Sequence, residues 1–593
     1  MRKTSILLMQ VMMLLGTGVG LTSCDEFWDW IDNPVETPKE DTPAPTGKTT
    51  GVINVTTTDL PLDVGATETR TASTNSDATI TYTSANTSIA TVDATGTVTG
   101  VAEGSTTIKV AVAETEKYTA AEKTYNVIVT LASENTYRVY TTGITYTNEA
   151  IPVNATELTG TVAPGTLAAG TYVVRGEATC TGVLTLGGDV NLILADESEL
   201  TITGSINGTH SLNIYGQANS TGTLTINDAP TYNSNPISVK NLSIHGGTII
   251  PTGGSNPAGA HTIETNGNFT VYHGTVNANG AGFLISGNLT IHGGITTSLS
   301  AGGAPAIKVV GGDLTTNGGT LGATCTGTGG NAIEVDDGHG GGTSQINIYG
   351  GFINAEGGNA NAASNTQGGN GIMLCGTLNC RNYVRAYGGE NDGTTAGGYG
   401  IKVEAGTTGN GDIMIWGGHV DAAGYGGDGS SVAAIYADTS IQIDGEYTQV
   451  YAFGYNGADW GIRAAVGVYL AAGSLSNPTY EGVVAVGNIA IEGESIAINS
   501  GKVRATGLGT TVIKAANIHI EALGTSVALS HPSLGPTGYA ISFIQFTSSF
   551  TLGDNPVNLS TWSTFTMANV TTTYPALSYD SGTCTLTYPT LAP

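Results

Sequence analysis

A unit of the form apolar-x-apolar-x-Gly-Gly-x-apolar recurs through the middle of this 593-residue chain. Copies begin at positions 242, 346 and 413 and weaker ones at 212, 269, 289, 314 and 384, and together they place Tyr215, His245, Tyr272, His292, Asn317, Tyr349, Tyr387 and Trp416 at the fourth position. Alternation along a strand sends the first and third residues inward and the fourth outward. Stacked copies would then carry an outward ladder of flat rings. Such rings are good partners for the apolar C–H faces of sugars. The same stacking could also do no more than brace the Gly-Gly corner, so binding platform and scaffold both stand as readings.

A second constellation is Asp336-Asp337-Gly338-His339-Gly340, with Glu334 just before it. Hydrolysis of a glycosidic bond needs two acids held across the sugar. Polygalacturonases carry an Asp-Asp pair and a Gly-His-Gly on separate coils, with an Asn-Thr-Asp and an Arg-Ile-Lys besides. Here both pieces fall in one loop and the other motifs are missing, so catalysis is not expected. Glu334, Asp336 and Asp337 are instead candidate oxygen ligands for calcium, or members of a solvated loop. The outward cations Arg381, Arg385, Lys402 and Arg463 sit in no lyase-like motif.

The elements that must position these residues are short strands. Ile307-Lys308-Val309, Ile333-Glu334-Val335, Ile372-Met373-Leu374, Ile401-Lys402-Val403, Ile435-Tyr436-Ala437 and Ile462-Arg463-Ala464 form a second strand type ahead of the Gly-Gly unit. Its period of two puts Ile and Val inward and the long polar residues outward. Two or three short strands per turn, glycine corners and loops of variable length describe a right-handed parallel β-helix. The spacing does not fit the regular blades of a propeller. From about residue 535 the repeat is lost, and a cap over the open edge is expected.

Composition agrees. There are 87 glycines, 25 tyrosines and only 11% charged residues. Lys and Arg number 19 against 47 Asp and Glu, a formal charge of −28, which repels nucleic acid and anionic lipid headgroups. Removing Cys24 from the six cysteines leaves Cys180, Cys325, Cys375, Cys380 and Cys584, an odd number that rules out a complete disulfide framework. Free core thiols are expected, with a local Cys375–Cys380 bridge as the alternative.

Met1-Arg2-Lys3 begins a basic, then apolar leader that ends in Leu21-Thr22-Ser23-Cys24. That quartet resembles the lipobox of bacterial lipoproteins, which implies cleavage after residue 23 and lipidation of Cys24. Asp25-Glu26 resemble an export signal toward the outer face in some Gram-negative bacteria. Residues 24–50, with Pro34, Pro38, Pro43 and Pro45, read as a solvated tether.

Residues 51–131 carry a different pattern. Tyr82-Thr83-Ser84, then Ile89-Ala90-Thr91-Val92-Asp93, Gly96-Thr97-Val98-Thr99-Gly100-Val101 and Ile108-Lys109-Val110 resemble the bacterial immunoglobulin-like domain, group 2, with Tyr82 where that family usually has Trp. Ile89, Val92, Val98, Val101, Ile108 and Val110 are its expected core. Beyond it, Tyr172-Val173-Val174, Val190-Asn191-Leu192-Ile193-Leu194, Leu200-Thr201-Ile202 and the Gly-Gly units resemble the carbohydrate-binding β-helix family of cell-surface proteins. That resemblance implies acidic polysaccharide as partner and calcium as cofactor, although the family's aspartate-rich ion sites are not matched cleanly.

The expectation is therefore an all-β chain: signal peptide 1–23, tether 24–50, sandwich 51–131, β-helix 132–534 and cap 535–593. Its expected role is non-catalytic polysaccharide binding by an outer-membrane lipoprotein that touches the membrane through its lipid alone and takes no nucleic acid. An adhesin with a protein ligand, or a lyase or hydrolase on the same helix, are the alternatives.

Overall fold

The computed structural model describes residues 47–130, 135–227, 235–253, 260–338, 341, 343–407, 409–427, 431–473, 482–499, 501–508, 511–520 and 525–530, with five short strands beyond. Side chains are described as far as Ala515. The signal peptide, Cys24, nearly all of the tether, His339, Gly340 and Cys584 lie outside the described residues. The chain forms two compact units, split between Thr130 and Leu131. Among the described residues no helix is long and apolar enough to cross a membrane.

The first unit is a small sandwich. Leu60–Asp63, Ala121–Thr130, Gly104–Val112 and Ile80–Ser84 form one sheet; Thr67–Thr69, Thr97–Gly100 and Ala90–Val92 form the other. Val98, Ile108 and Val110 are fully buried, and Ile89 and Val92 pack partly buried against them. Val101 departs from the expectation: it lies past the end of its strand and is exposed. The Tyr82 hydroxyl accepts the Ala72 N–H at 2.8 Å.

The second unit is an all-β coil whose strands pair in parallel from Thr156–Val162 through Ser549–Leu552. Each full turn contributes three strands, so three parallel sheets run the length of the coil. One turn shows the pattern: Ile307–Val310 in the first sheet, then residues 314–316 in the second and 320–325 in the third. The Ile-x-Val strand type expected ahead of the Gly-Gly unit forms the first sheet, with Lys308 registered on Glu334 and Tyr436 on Arg463. In the second sheet Leu314, Ile346, Leu378 and Ile413 lie in consecutive register. Inward residues alternate with outward ones, and the inward Ile, Val, Leu and Ala side chains form one continuous core.

Two devices hold the corners. The second glycine of the Gly-Gly pair takes a left-handed backbone, φ +82° at Gly351 and +74° at Gly418, which side-chain-bearing residues rarely adopt. A Cβ at Gly351 would also sit 2.4 Å from the Gly319 carbonyl oxygen. At the corner before the second sheet, the side-chain oxygens of Asn241, Asn268, Asn288 and Asp313 each accept the N–H of the residue one coil on. Backbone groups that a corner would leave unpaired are thereby satisfied.

Cys180, Cys325, Cys375 and Cys380 form no disulfide; all but Cys375 are buried. Burial pushes the Cys380 thiol up to about 12, the value of an inert core group.

Candidate functional site

All the fourth-position residues but Tyr387 stand at the corner between the second and third sheets. Tyr215, His245, Tyr272 and His292 stack there with ring centroids 4.7, 4.5 and 4.9 Å apart and interplanar angles of 18°, 16° and 6°. That spacing is the strand-to-strand distance of the sheet, so the register itself sets the stack. Asn317 extends it, its Nδ2 lying 3.3 Å from His292 Nδ1.

This upper part of the ladder is covered. A hairpin of Thr136–Tyr140 and Tyr146–Ala150 packs across it. Tyr137 meets Tyr215 edge-on at 4.9 Å, Tyr140 stacks on His273 at 4.4 Å, and Gln217 donates to the Thr136 carbonyl at 3.0 Å. The Tyr140 N–H donates to His245 Nδ1 at 3.1 Å. His245 is only 7% exposed, and burial pushes its pKa down to about 4. Burial also pushes Tyr215 up to about 12. These rings seat the hairpin, and their faces are used on one another.

The lower part is open. Tyr349 is 52% exposed and Trp416 48%. The position between them belongs to Arg381, not Tyr387: Leu378 and Cys380 pair with Ile346 and Ile348 on one side and with Ile413 and Ile415 on the other. The Arg381 guanidinium lies 6.0 Å from the Tyr349 ring and 5.3 Å from Trp416, a cation between two aromatic faces.

Tyr387 stands on the third sheet, in register with Glu356 and Ala423. Here alternation sends Phe352, Asn354 and Glu356 outward from one strand and Tyr383, Arg385 and Tyr387 from the next. His419 and Asp421 follow, then Tyr451 and Phe453. Phe352 meets Tyr383 at 4.8 Å and 61°, Tyr383 stacks on His419 at 4.8 Å and 2°, and His419 leans on Tyr451 at 5.1 Å and 34°. The tilted pairs leave part of a ring face uncovered by its neighbour, which the parallel stack beneath the hairpin does not.

Phe352, Tyr383, Arg385, Tyr387 and Asp421 line an open depression of about 590 Å³. At its floor the Tyr387 hydroxyl donates to Asp421 Oδ2 at 2.6 Å, and the Arg385 guanidinium lies 4.4 Å from the Tyr387 ring. Burial, then the bond to Asp421, raises the Tyr387 pKa, so the phenol stays a donor. Aromatic walls with a few fixed polar groups are what a sugar-sized ligand requires. Of this depression, sequence singled out Tyr387 as a ring of the ladder and Arg385 only as an outward cation. The signal was available as period-two runs of rings and a cation, Tyr383-x-Arg385-x-Tyr387 and Tyr451-x-Phe453-x-Tyr455.

The acidic trio does not form an ion site. Lys308 Nζ lies 2.6 Å from Glu334 Oε1 and 3.5 Å from Asp336 Oδ2. Burial works against the lysine's charge, but the bonds and proximity of Glu334 and Asp336 outweigh it and hold its pKa above the ordinary value. Asn331 also donates to Glu334, and Asp336 accepts the Gly338 N–H at 2.7 Å. Asp337 accepts the Thr343 N–H at 3.5 Å. Glu334 and Asp336 are already paired with an ammonium, and as arranged these residues do not fit the metal. Among the described residues no group of three or more His, Cys, Asp or Glu is placed to hold one.

The remaining outward cations are likewise engaged. Lys402 pairs with Glu404 at 2.6 Å, and the Arg463 guanidinium lies 3.9 Å from the Trp460 ring.

With this geometry in hand, comparison with known proteins places one part of the chain. Residues 50–122 match the bacterial Ig-like domain, group 2. The match covers the sandwich up to the start of its last strand, Ala121–Thr130, and does not reach the β-helix. No curated protein matches the chain.

Proposed function

We propose that this chain is a surface-anchored lipoprotein that holds polysaccharide, without cutting it, on the third sheet and adjoining corner of its β-helix. The observation that carries the reading is the open ring field between Tyr349 and Tyr455, with the Phe352–Tyr383–Tyr387 depression inside it. Tyr349, Tyr383, Trp416 and Tyr455 are all exposed large rings, a concentration that marks a binding face. The rigid coil fixes those rings before any ligand arrives, which lowers the entropic cost of binding. The lipobox-like quartet, the Pro-rich tether and the Ig-like domain ahead of the coil suit a protein that carries such a face away from a membrane.

Two experiments test this. Mass spectrometry of the mature N-terminus should find a lipidated Cys24, and Cys24→Ala should release the chain from the membrane fraction. Native affinity electrophoresis of the full chain through polysaccharide-containing gels should show retardation without shortening of the polymer. Shortened polymer would make the protein an enzyme. No retardation by any polysaccharide would turn the face over to a protein ligand.

A further inference from the structure

The depression on the third sheet also carries information about the charge of what it holds. Between Phe352 and Tyr455 the outward charges on this sheet are Glu356, Arg385 and Asp421, two carboxylates and one guanidinium. The guanidinium is not directed at a free anion. It lies over the Tyr387 ring, with Glu356 and Asp421 both acting on it. Arg381, at the neighbouring corner, is held between Tyr349 and Trp416. Glu390, close enough to act on Tyr425, adds a further negative charge beside the same face. The next cations along the sheet, Lys502 and Arg504, belong to the strand paired beyond Val483–Gly487. Arg504 is two coils past Tyr451, about 10 Å away.

We infer that the depression takes a neutral polysaccharide, read through its hydroxyls by Asp421, Tyr387 and Arg385 and through its C–H faces by Phe352 and Tyr383. The inference rests on the binding reading above and specifies its substrate class. A polyuronate would bring one carboxylate per sugar to a face with no surplus of positive charge, on a chain of net charge −28. A neutral diol has no such penalty. One hydroxyl can donate to the Asp421 carboxylate while a neighbouring oxygen accepts from Arg385, and bonds to ionised groups of this kind are the strong ones.

The test compares the full chain against galactomannan and mixed-linkage glucan, both neutral, and against polygalacturonate and alginate, both acidic. Retardation by a neutral polymer, changing less than about twofold between low and high salt, is expected. Asp421→Asn decides the sign. For a neutral ligand it removes a charged acceptor and weakens binding about tenfold. For an acidic ligand it removes a repelling charge and strengthens binding. Asp421 is only half-buried, and an unchanged melting temperature would show that the variant is folded. Should the variant fail to fold, the polymer panel and its salt dependence on the native chain still decide. Retention by the acidic polymers alone, or tighter binding by the variant, overturns the neutral assignment and leaves polysaccharide binding intact. No retention by any of the four overturns both.

Discussion

His245 accepts the backbone N–H of Tyr140 across 105 residues of sequence, at 3.1 Å, in the middle of a stack of rings. That bond needs the lone pair of a neutral imidazole, and burial has already driven the ring's pKa to about 4. The covering hairpin is therefore linked to pH. Above about 6.5, His245 is neutral whether or not the hairpin is seated, and docking is at full strength. As pH falls from there toward 4, the undocked ring takes up a proton that the docked one refuses, and docking weakens by up to about 3 kcal/mol. Burial also lowers His273 and His292, which act in the same direction. Hydrogen exchange at the Tyr140 amide should quicken between pH 7 and pH 4 by more than the intrinsic change in exchange chemistry. In His245→Phe the amide loses its acceptor, at a cost of about 1–3 kcal/mol, and most of the pH dependence goes with it. Equal protection at both pH values in the native chain would rule this linkage out.

The covered and open parts of the ring system should separate stability from binding. Tyr272 stacks between His245 and His292, so Tyr272→Ala should loosen the corner by about 1 kcal/mol and leave glycan affinity unchanged. Tyr383→Ala, at the open depression, should do the reverse, with little change in melting temperature and about tenfold weaker binding. Trp416→Ala belongs with the second class, being nearly half exposed at the corner. Paired melting and affinity measurements on the three variants would reject the division if Tyr272→Ala lost binding as severely as Tyr383→Ala.

The β-helix was legible because its signals are local. Strand alternation and the Gly-Gly corner repeat in every copy, and the core residues they imply are buried. The site was less legible because the copies overlap in pattern. Val384-Arg385-Ala386-Tyr387-Gly388-Gly389 satisfies the repeat formula, yet the pairing makes Leu378 to Arg381 the true copy, with Asn382 where glycine usually stands. A period-two pattern fits either strand of the turn; only the register with neighbouring coils decides. The hairpin could not be read at all. Tyr137, Tyr140 and Tyr146 carry no local mark that they fold back over a ladder beginning at Tyr215. Glu334 and Asp336 looked like free oxygen ligands because Lys308, their partner, lies a full coil earlier in sequence.

The asparagine corner should behave as a cooperative row. Asn288 accepts the Asp313 N–H at 2.9 Å and donates its own N–H to Asn268 Oδ1 at the same distance. Asn288→Ala keeps the second bond and orphans the Asp313 amide, which should cost about 1–3 kcal/mol locally. Because each coil touches only its neighbours, the loss should appear as faster hydrogen exchange around residue 313 while coils beyond Trp416 keep their protection. A uniform loss along the coil would show instead that the helix unfolds as one unit.

The Lys308 cluster gives a direct check on calcium. With the ammonium between Glu334 and Asp336, calcium would have to displace the lysine to reach both carboxylates, and at millimolar calcium the melting temperature of the native chain should not move. Lys308→Met removes the cation and leaves two adjacent carboxylates, since Val310 registers on Asp336 and residue 308 on Glu334. The variant should be destabilised at neutral pH by about 1–2 kcal/mol, because half-buried like charges then face one another. Calcium should stabilise the variant where it did nothing for the native chain. Stabilisation of the native protein by calcium would mean that an ion binds elsewhere, or that it displaces the lysine; loss of that effect in Glu334→Gln would identify displacement.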